Sequence, residues 1–216
     1  MNNQEKITNL LNELTEQNFV TSSFSYDLNC LEEFTNILLK WNNSHDLVSQ
    51  KSFSEIFDHH IIDSIAAFII QLNVIDFSPT DYIDIGSGAG LPGIVWHICF
   101  GQKLKTILVE PRKKRINFLK EVRRSLKLEN LDFIDERFKE LPNKIDPCVV
   151  SIRALKPDQI MLDSICLEGN SNNQLLWLGS ETSGLEVSEK IKVEKIEYGY
   201  NLGEKYKRSI LVYKRA

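Results

Sequence analysis

The chain has 216 residues, of which 42% are hydrophobic and 26% charged, with 26 Lys and Arg against 30 Asp and Glu and a formal net charge of −4. These figures suit one sizeable domain with an ordinary core, and exclude a disordered, collagen-like or disulfide-stapled chain. The acidic total also excludes a uniformly basic coat for RNA, because phosphate backbones call for Lys and Arg.

Met1-Asn2-Asn3-Gln4-Glu5 offers no basic start followed by an apolar run, so no signal peptide is expected. Residues 61–70 are apolar but broken by Asp63 and Ser64, and fall far short of the roughly 20 residues that span a bilayer. Cys30, Cys99, Cys148 and Cys166 show no CxxC spacing and no nearby His pair, which points to thiols in a reducing compartment. The expectation is a cytoplasmic protein, and a monomer, that uses neither membrane nor metal.

Residues 1–75 read as a helical N-terminal subdomain. Leu28, Leu31, Phe34, Leu38 and Trp41 recur at spacings of three or four, the mark of one buried helix face. Trp41 is therefore read as core rather than as a base-stacking platform. Ser52 and Glu55 form a capping box ahead of a helix that runs through Ile56 and His60 towards Ile70. His60 and Asp63 share a helical face, which allows either a structural His–Asp hydrogen bond or a contact to an active-site rim. His45, His59 and His97 have no metal-ligand spacing.

From residue 80 the period changes. Strands are predicted at 82–85, 106–110, 131–134, 148–152 and 174–178, with helices starting near Pro92 and spanning 112–128. This alternation predicts an α/β fold over 76–216, a Rossmann-like parallel sheet wound with helices on both faces. The runs 192–200 and 208–214, joined through Gly203, predict a C-terminal antiparallel hairpin.

Four of the ten glycines fall between positions 86 and 93. An ordinary turn needs one; a cluster at a strand end suggests close backbone approach to a ligand. Gly88-Ala89-Gly90-Leu91-Pro92-Gly93 matches the G-x-G-x-x-G of dinucleotide sites, but its first glycine lies two residues too late. Asp84-Ile85-Gly86-Ser87-Gly88-Ala89-Gly90 matches the D-x-G-x-G-x-G loop of class I S-adenosylmethionine-dependent methyltransferases. Asp84 suits a cationic sulfonium and ammonium and would repel a pyrophosphate, so the methyltransferase reading is preferred. Glu110, ending the second strand, is the expected ribose ligand. The candidate cofactor residues from the loop are thus Asp84, Gly86, Gly88, Gly90 and Leu91.

The same loop, continued through Leu91-Pro92-Gly93-Ile94, closely resembles that of the small-subunit ribosomal RNA methyltransferase G family, also called glucose-inhibited division protein B. Glu110, Arg112-Lys113-Lys114-Arg115, Phe118-Leu119 and Leu126-Lys127-Leu128-Glu129-Asn130-Leu131 extend the resemblance. Upstream, Lys40-Trp41-Asn42 and His60-Ile61-Ile62-Asp63-Ser64 resemble two helical motifs of that family. The resemblance implies transfer of a methyl group from S-adenosylmethionine to N7 of a guanine in small-subunit rRNA, with S-adenosylhomocysteine as product. It also implies cofactor roles for Gly86, Leu91, Phe138, Lys139 and Arg153, and a catalytic place for Arg153. Three positions depart from the pattern: Ile152 stands for a Ser, Leu178 for a Lys, and Asp46 for an Asn.

Guanine N7 is an unprotonated lone pair, so its methylation needs alignment and charge stabilisation rather than a general base. Methylation of cytosine C5 would need a cysteine nucleophile. Cys148 begins its strand, at the wrong end for that role, and is read as a core thiol.

Residues 103–127 hold ten cations against Glu110 and Glu121, a net +8, while the remaining 16 cations and 28 acids leave −12 elsewhere. Arg112, Lys113, Lys114, Arg115, Arg123 and Arg124 are the candidate RNA contacts, on ribosomal RNA or an assembling small subunit. A methyltransferase of the same fold with another substrate, and a non-catalytic cofactor-binding RNA module, are the alternatives.

Overall fold

A computed structural model describes residues 1–21, 24–75, 79–101, 103–138, 148–179 and 187–216. Four helical segments come first. α1 (Asn3–Glu16) opens with a capping box between Asn2 and Glu5, and α2 (Leu28–His45) is capped by Asp27. The predicted Ser52–Glu55 box caps α3 (Phe53–Ile56). This helix runs without a break through a π-helical turn (Phe57–Ile62) into α4 (Asp63–Val74), so the single predicted helix carries one wider turn. Each cap supplies an acceptor to an amide that has no intrahelical partner, worth about 1 kcal/mol.

The rest alternates as expected: β1 (Asp81–Ile85), α5 (Gly93–Cys99), β2 (Lys105–Val109), α6 (Lys113–Leu126), β3 (Leu131–Ile134), β4 (Cys148–Arg153), α7 (Gln159–Asp163) and β5 (Gln174–Gly179). β6 (Ile191–Asn201) and β7 (Lys205–Arg215) close the chain as a hairpin. The sheet order is β3-β2-β1-β4-β5-β7-β6, parallel from β3 to β5 and antiparallel beyond. β7 thus lies inside the sheet, between β5 and β6.

Side chains alternate across the sheet and separate two hydrophobic clusters. Tyr82, Leu108, Val149 and Leu176 point to a large cluster shared with α1, α2, α4, α5 and α6. Ile83, Ile107, Val150 and Leu175 point to a smaller one capped by Met161, Leu162 and Ile165. The N-terminal helices therefore use the same hydrophobic cluster as the sheet. Every residue of β1 is buried, with Ile83 and Ile85 on one face and Tyr82 and Asp84 on the other.

Trp41 is half-buried and meets Phe118 of α6 edge-on at 5.7 Å, a packing contact. The four cysteines are free thiols, and Cys148 is fully buried at the start of β4. No helix among the described residues is long and apolar enough to cross a membrane, and none of their His, Cys, Asp and Glu groups could hold a metal ion.

Candidate active site

The parallel order places the carboxyl ends of β1, β2 and β4 side by side, and the glycine loop rises from the first of them. Gly86, Gly88 and Gly90 adopt φ of 76°, 56° and 77°, a region that costs a side-chain-bearing residue about 1–2 kcal/mol. The Gly86 and Ser87 amides both donate to the Val109 carbonyl at the end of β2, which locks the loop across the two strands. The glycines differ in their surroundings. A Cβ at Gly90 would lie 2.6 Å from Ile94 Cγ1, and one at Gly93 would lie 2.6 Å from Asp84 Oδ2. Both let α5 pack tightly on the sheet. A Cβ at Gly86 would meet only Leu155, at 3.6 Å, so that glycine faces the crevice with room to spare.

Glu110 stands beside the loop with 2% exposure. Its Oε2 accepts the Gly88 amide at 3.0 Å, its Oε1 accepts the Arg112 amide at 2.9 Å, and the Arg115 guanidinium lies 3.6 Å from Oε2. A carboxylate has about four acceptor sites, so two amides orient it and leave capacity for hydroxyl donors. Asp84 lies lower, beneath the loop rather than in the crevice. Ser151 donates to its Oδ1 at 2.6 Å, and Tyr82 meets Ser151 at 2.8 Å. Burial pushes the Asp84 carboxyl up to about 6, against the lowering effect of its hydrogen bonds.

A second group forms around Asp63. Its Oδ2 pairs with Arg153 at 2.9 Å, and its Oδ1 accepts from Arg208 Nε at 2.6 Å and from the Tyr200 hydroxyl at 2.7 Å. Arg153 ends β4, Arg208 lies on β7 and Tyr200 on β6, so one buried carboxylate joins α4 to three strands. Two guanidiniums against one carboxylate leave a local charge of +1, and both remain partly exposed, at 25% and 30%. Arg208 also lies over the Tyr206 ring at 5.1 Å.

Asp63 therefore takes the rim position. His60 turns instead to Gln50, at 2.6 Å, and its Nδ1 is buried without a partner among the described residues. Burial first, then the Arg153 charge, lower the His60 imidazole to about 4, so it is neutral.

The sequence-derived residues fall into separate places. Gly86, Gly88, Gly90, Leu91 and Glu110 come together at the loop, with Arg115 joining them, and Asp84 supports them from below. Arg153 stands at the neighbouring strand end. Phe138 is half-buried and packs against the smaller cluster; Lys139 lies outside the described residues. Arg112, Lys113 and Lys114 are exposed at the crevice end of α6, whereas Arg123 and Arg124 are exposed at its far end. Arg208 and Tyr200 were not singled out from the sequence. The available signal was an arginine beside an otherwise apolar run, Ile210-Leu211-Val212-Tyr213.

The departures also find places. Ile152 is fully buried in β4, and Leu178 packs in the larger cluster, in register with Arg153 and Ile210. Asp46 takes the left-handed position that ends α2, at φ 45°, a conformation that Asn and Asp tolerate through their short polar side chains.

A family model described as rRNA small subunit methyltransferase G matches residues 27–206. The ribosomal RNA small subunit methyltransferase G of Helicobacter acinonychis is 30% identical over 160 residues, covering 74% of this chain and 86% of that protein. Its counterpart from Mycoplasma mycoides subsp. mycoides is 36% identical over 113 residues, covering 52% and 79%. The one from Shigella flexneri is 37% identical over 117 residues, covering 54% and 53%. Among solved structures, a SAM dependent methyltransferase from Aquifex aeolicus aligns with a TM-score of 0.51 at 14% identity, over 74% of this chain and 92% of that one. Magnesium protoporphyrin IX methyltransferase from Synechocystis PCC 6803, with bound SAM, aligns with a TM-score of 0.52 at 12% identity, over 85% and 97%. These likenesses show the fold as that of class I S-adenosylmethionine-dependent methyltransferases. With 180 residues matched by one family model, the chain belongs to the rRNA small subunit methyltransferase G family.

Proposed function

We propose that this protein transfers a methyl group from S-adenosylmethionine to N7 of a guanine in small-subunit ribosomal RNA. The observation that carries the reading is the union of the glycine loop with Glu110, where the Gly88 amide meets the carboxylate at 3.0 Å across the ends of β1 and β2.

That pairing suits an adenosyl ligand. Glu110 has acceptor capacity for ribose hydroxyls, and Gly86 leaves open space for close approach. Asp84, beneath the loop, contributes negative charge towards a sulfonium. Bound there, S-adenosylmethionine supplies the electrophilic methyl group.

The chain's own residues would hold and align the acceptor. Arg153 and Arg208 are anchored by Asp63, yet keep guanidinium donors for a guanine O6 or a neighbouring phosphate. A neutral acceptor nitrogen needs no proton removed before it attacks. His60, turned to Gln50, is not needed as a base. The electrostatic work is to fix the base within reach of the cofactor, where proximity and alignment lower the barrier.

The test is methyl transfer from tritiated S-adenosylmethionine to purified small subunits and to protein-free rRNA, followed by mapping of the product. Label as N7-methylguanosine at one site is the expected result. Absence of label, or label on an exocyclic amine or a ring carbon, overturns the reading.

A further inference from the structure

The far end of α6 carries a feature that the crevice does not use. Lys120, Arg123, Arg124 and Lys127 line a shallow pocket of about 410 Å³, together with Leu128 just past the helix and Phe133 of the neighbouring edge strand β3. Their spacing is i, i+3, i+4 and i+7, which stacks four exposed cations on one helical face. No acid lines the pocket. Arg124 is tied to the adjacent Glu121 by contacts of 2.6 and 3.0 Å, and Arg123 lies 5.9 Å from the centre of the Phe133 ring. Among the described residues, Lys120, Arg123 and Lys127 form no ion pair.

A favourable interaction of cations with the carboxyl end of a helix explains charges in the last turn. It does not explain Lys120, which lies mid-helix, nor the crowding. Like charges at these spacings destabilise a helix, so the cluster works against the fold unless an anion is bound. The same exposed stripe continues through Asn117 to Lys113, beside the glycine loop. Arg112 and Arg123 are about 17 Å apart along the axis, at 1.5 Å per residue. One continuous anionic polymer could follow that line; a small anion could not.

We infer that the Lys120–Arg123–Lys127 face is a docking site for the sugar–phosphate backbone of an rRNA segment adjoining the target guanine. This rests on the rRNA methyltransferase reading. The site contacts phosphates and not bases, since its donors are exposed cations on a convex helix and its one aromatic ring is already covered by Arg123. It would set the orientation of the substrate while the crevice selects the nucleotide.

The experiment compares the wild-type chain with Lys120→Ala/Arg123→Ala/Lys127→Ala and with Lys127→Glu. Binding to small subunits is measured over a range of salt with S-adenosylhomocysteine present, and cofactor affinity serves as the folding control. The triple variant is expected to bind subunits about tenfold or more weakly, with a salt slope lower by about two, and to keep its cofactor affinity. Lys127→Glu should weaken binding in the same direction. A photoreactive phenylalanine analogue at position 127 should crosslink to rRNA.

Unchanged affinity and salt slope overturn the site. Crosslinking to a ribosomal protein overturns it in favour of a protein partner. Wild-type methyl transfer is assayed in parallel: its absence defeats the functional reading, whereas the binding data decide the docking site independently.

Discussion

The loop at Gly86–Gly93 and the hub at Asp63 stand at adjacent strand ends but are built in opposite ways. The loop is local. Its glycines, its anchoring carbonyl on Val109 and its acid on Glu110 come from one β-α-β stretch, held mainly by backbone amides. The hub is assembled from distance: Tyr200 and Arg208 lie 137 and 145 residues from Asp63, and every bond is made by side chains. A backbone site tolerates most side-chain changes and fails when a Cβ is added. A side-chain hub tolerates backbone neighbours and fails when one charge is removed. Cofactor binding and acceptor positioning should therefore be separable by mutation.

Arg153→Ala should break the comparison most sharply. Loss of a positioned donor lowers kcat by about 10²–10³-fold, with S-adenosylmethionine affinity, read by calorimetry, falling much less. A parallel collapse of both would show that Arg153 belongs to the cofactor site. Asp63→Ala leaves two partly buried guanidiniums without their counter-charge and should cost about 3 kcal/mol of stability, measured by urea unfolding. Asp63→Asn should recover part of it by keeping the Tyr200 hydrogen bond.

Two glycines of the loop sharpen the other side. Gly90→Ala combines left-handed strain with a 2.6 Å clash against Ile94 and should lose about 2–3 kcal/mol of stability. Gly86→Ala meets no clash, so it should lose only about 1–2 kcal/mol, while its methyl group, projecting into the crevice, weakens cofactor affinity about tenfold. Equal stability losses at the two positions would contradict the packing described for them.

The smallest effect concerns pH. His60 is held neutral in the folded chain, its imidazole lowered to about 4, whereas an unfolded imidazole takes up a proton near 6.5. Unfolding thus binds a proton between these values, and stability falls as pH drops through that window. Between pH 7 and 5.5 His60 should account for about 1 kcal/mol. His60→Gln should flatten the wild-type slope by that amount; an unaltered slope would place the proton uptake elsewhere.

What could be read from the sequence follows the same division. Strands and helices were legible because parallel strands are short apolar runs and the helices carry caps such as Ser52–Glu55. The loop is legible because four glycines fall within eight consecutive residues. The sequence sets Asp63 one helical turn from His60, but helical spacing names only neighbours on one helix; its true partners come from β4, β6 and β7. The wider turn at 57–62 leaves no mark on the apolar period. The ten cations of 103–127 read as one basic segment, and only the helix axis divides them into a crevice end and a far end.

One consequence concerns the order in which the chain is made. β7 is last in sequence yet interior in the sheet, and it carries Arg208 to Asp63. A ribosome-bound chain can form the glycine loop once β2 has emerged, and so could hold a nucleoside early. It cannot complete the hub until β7 has emerged and paired with β5 and β6. Acceptor positioning thus waits on β7, and a chain truncated before residue 205 should be a cofactor-binding fragment without transferase turnover.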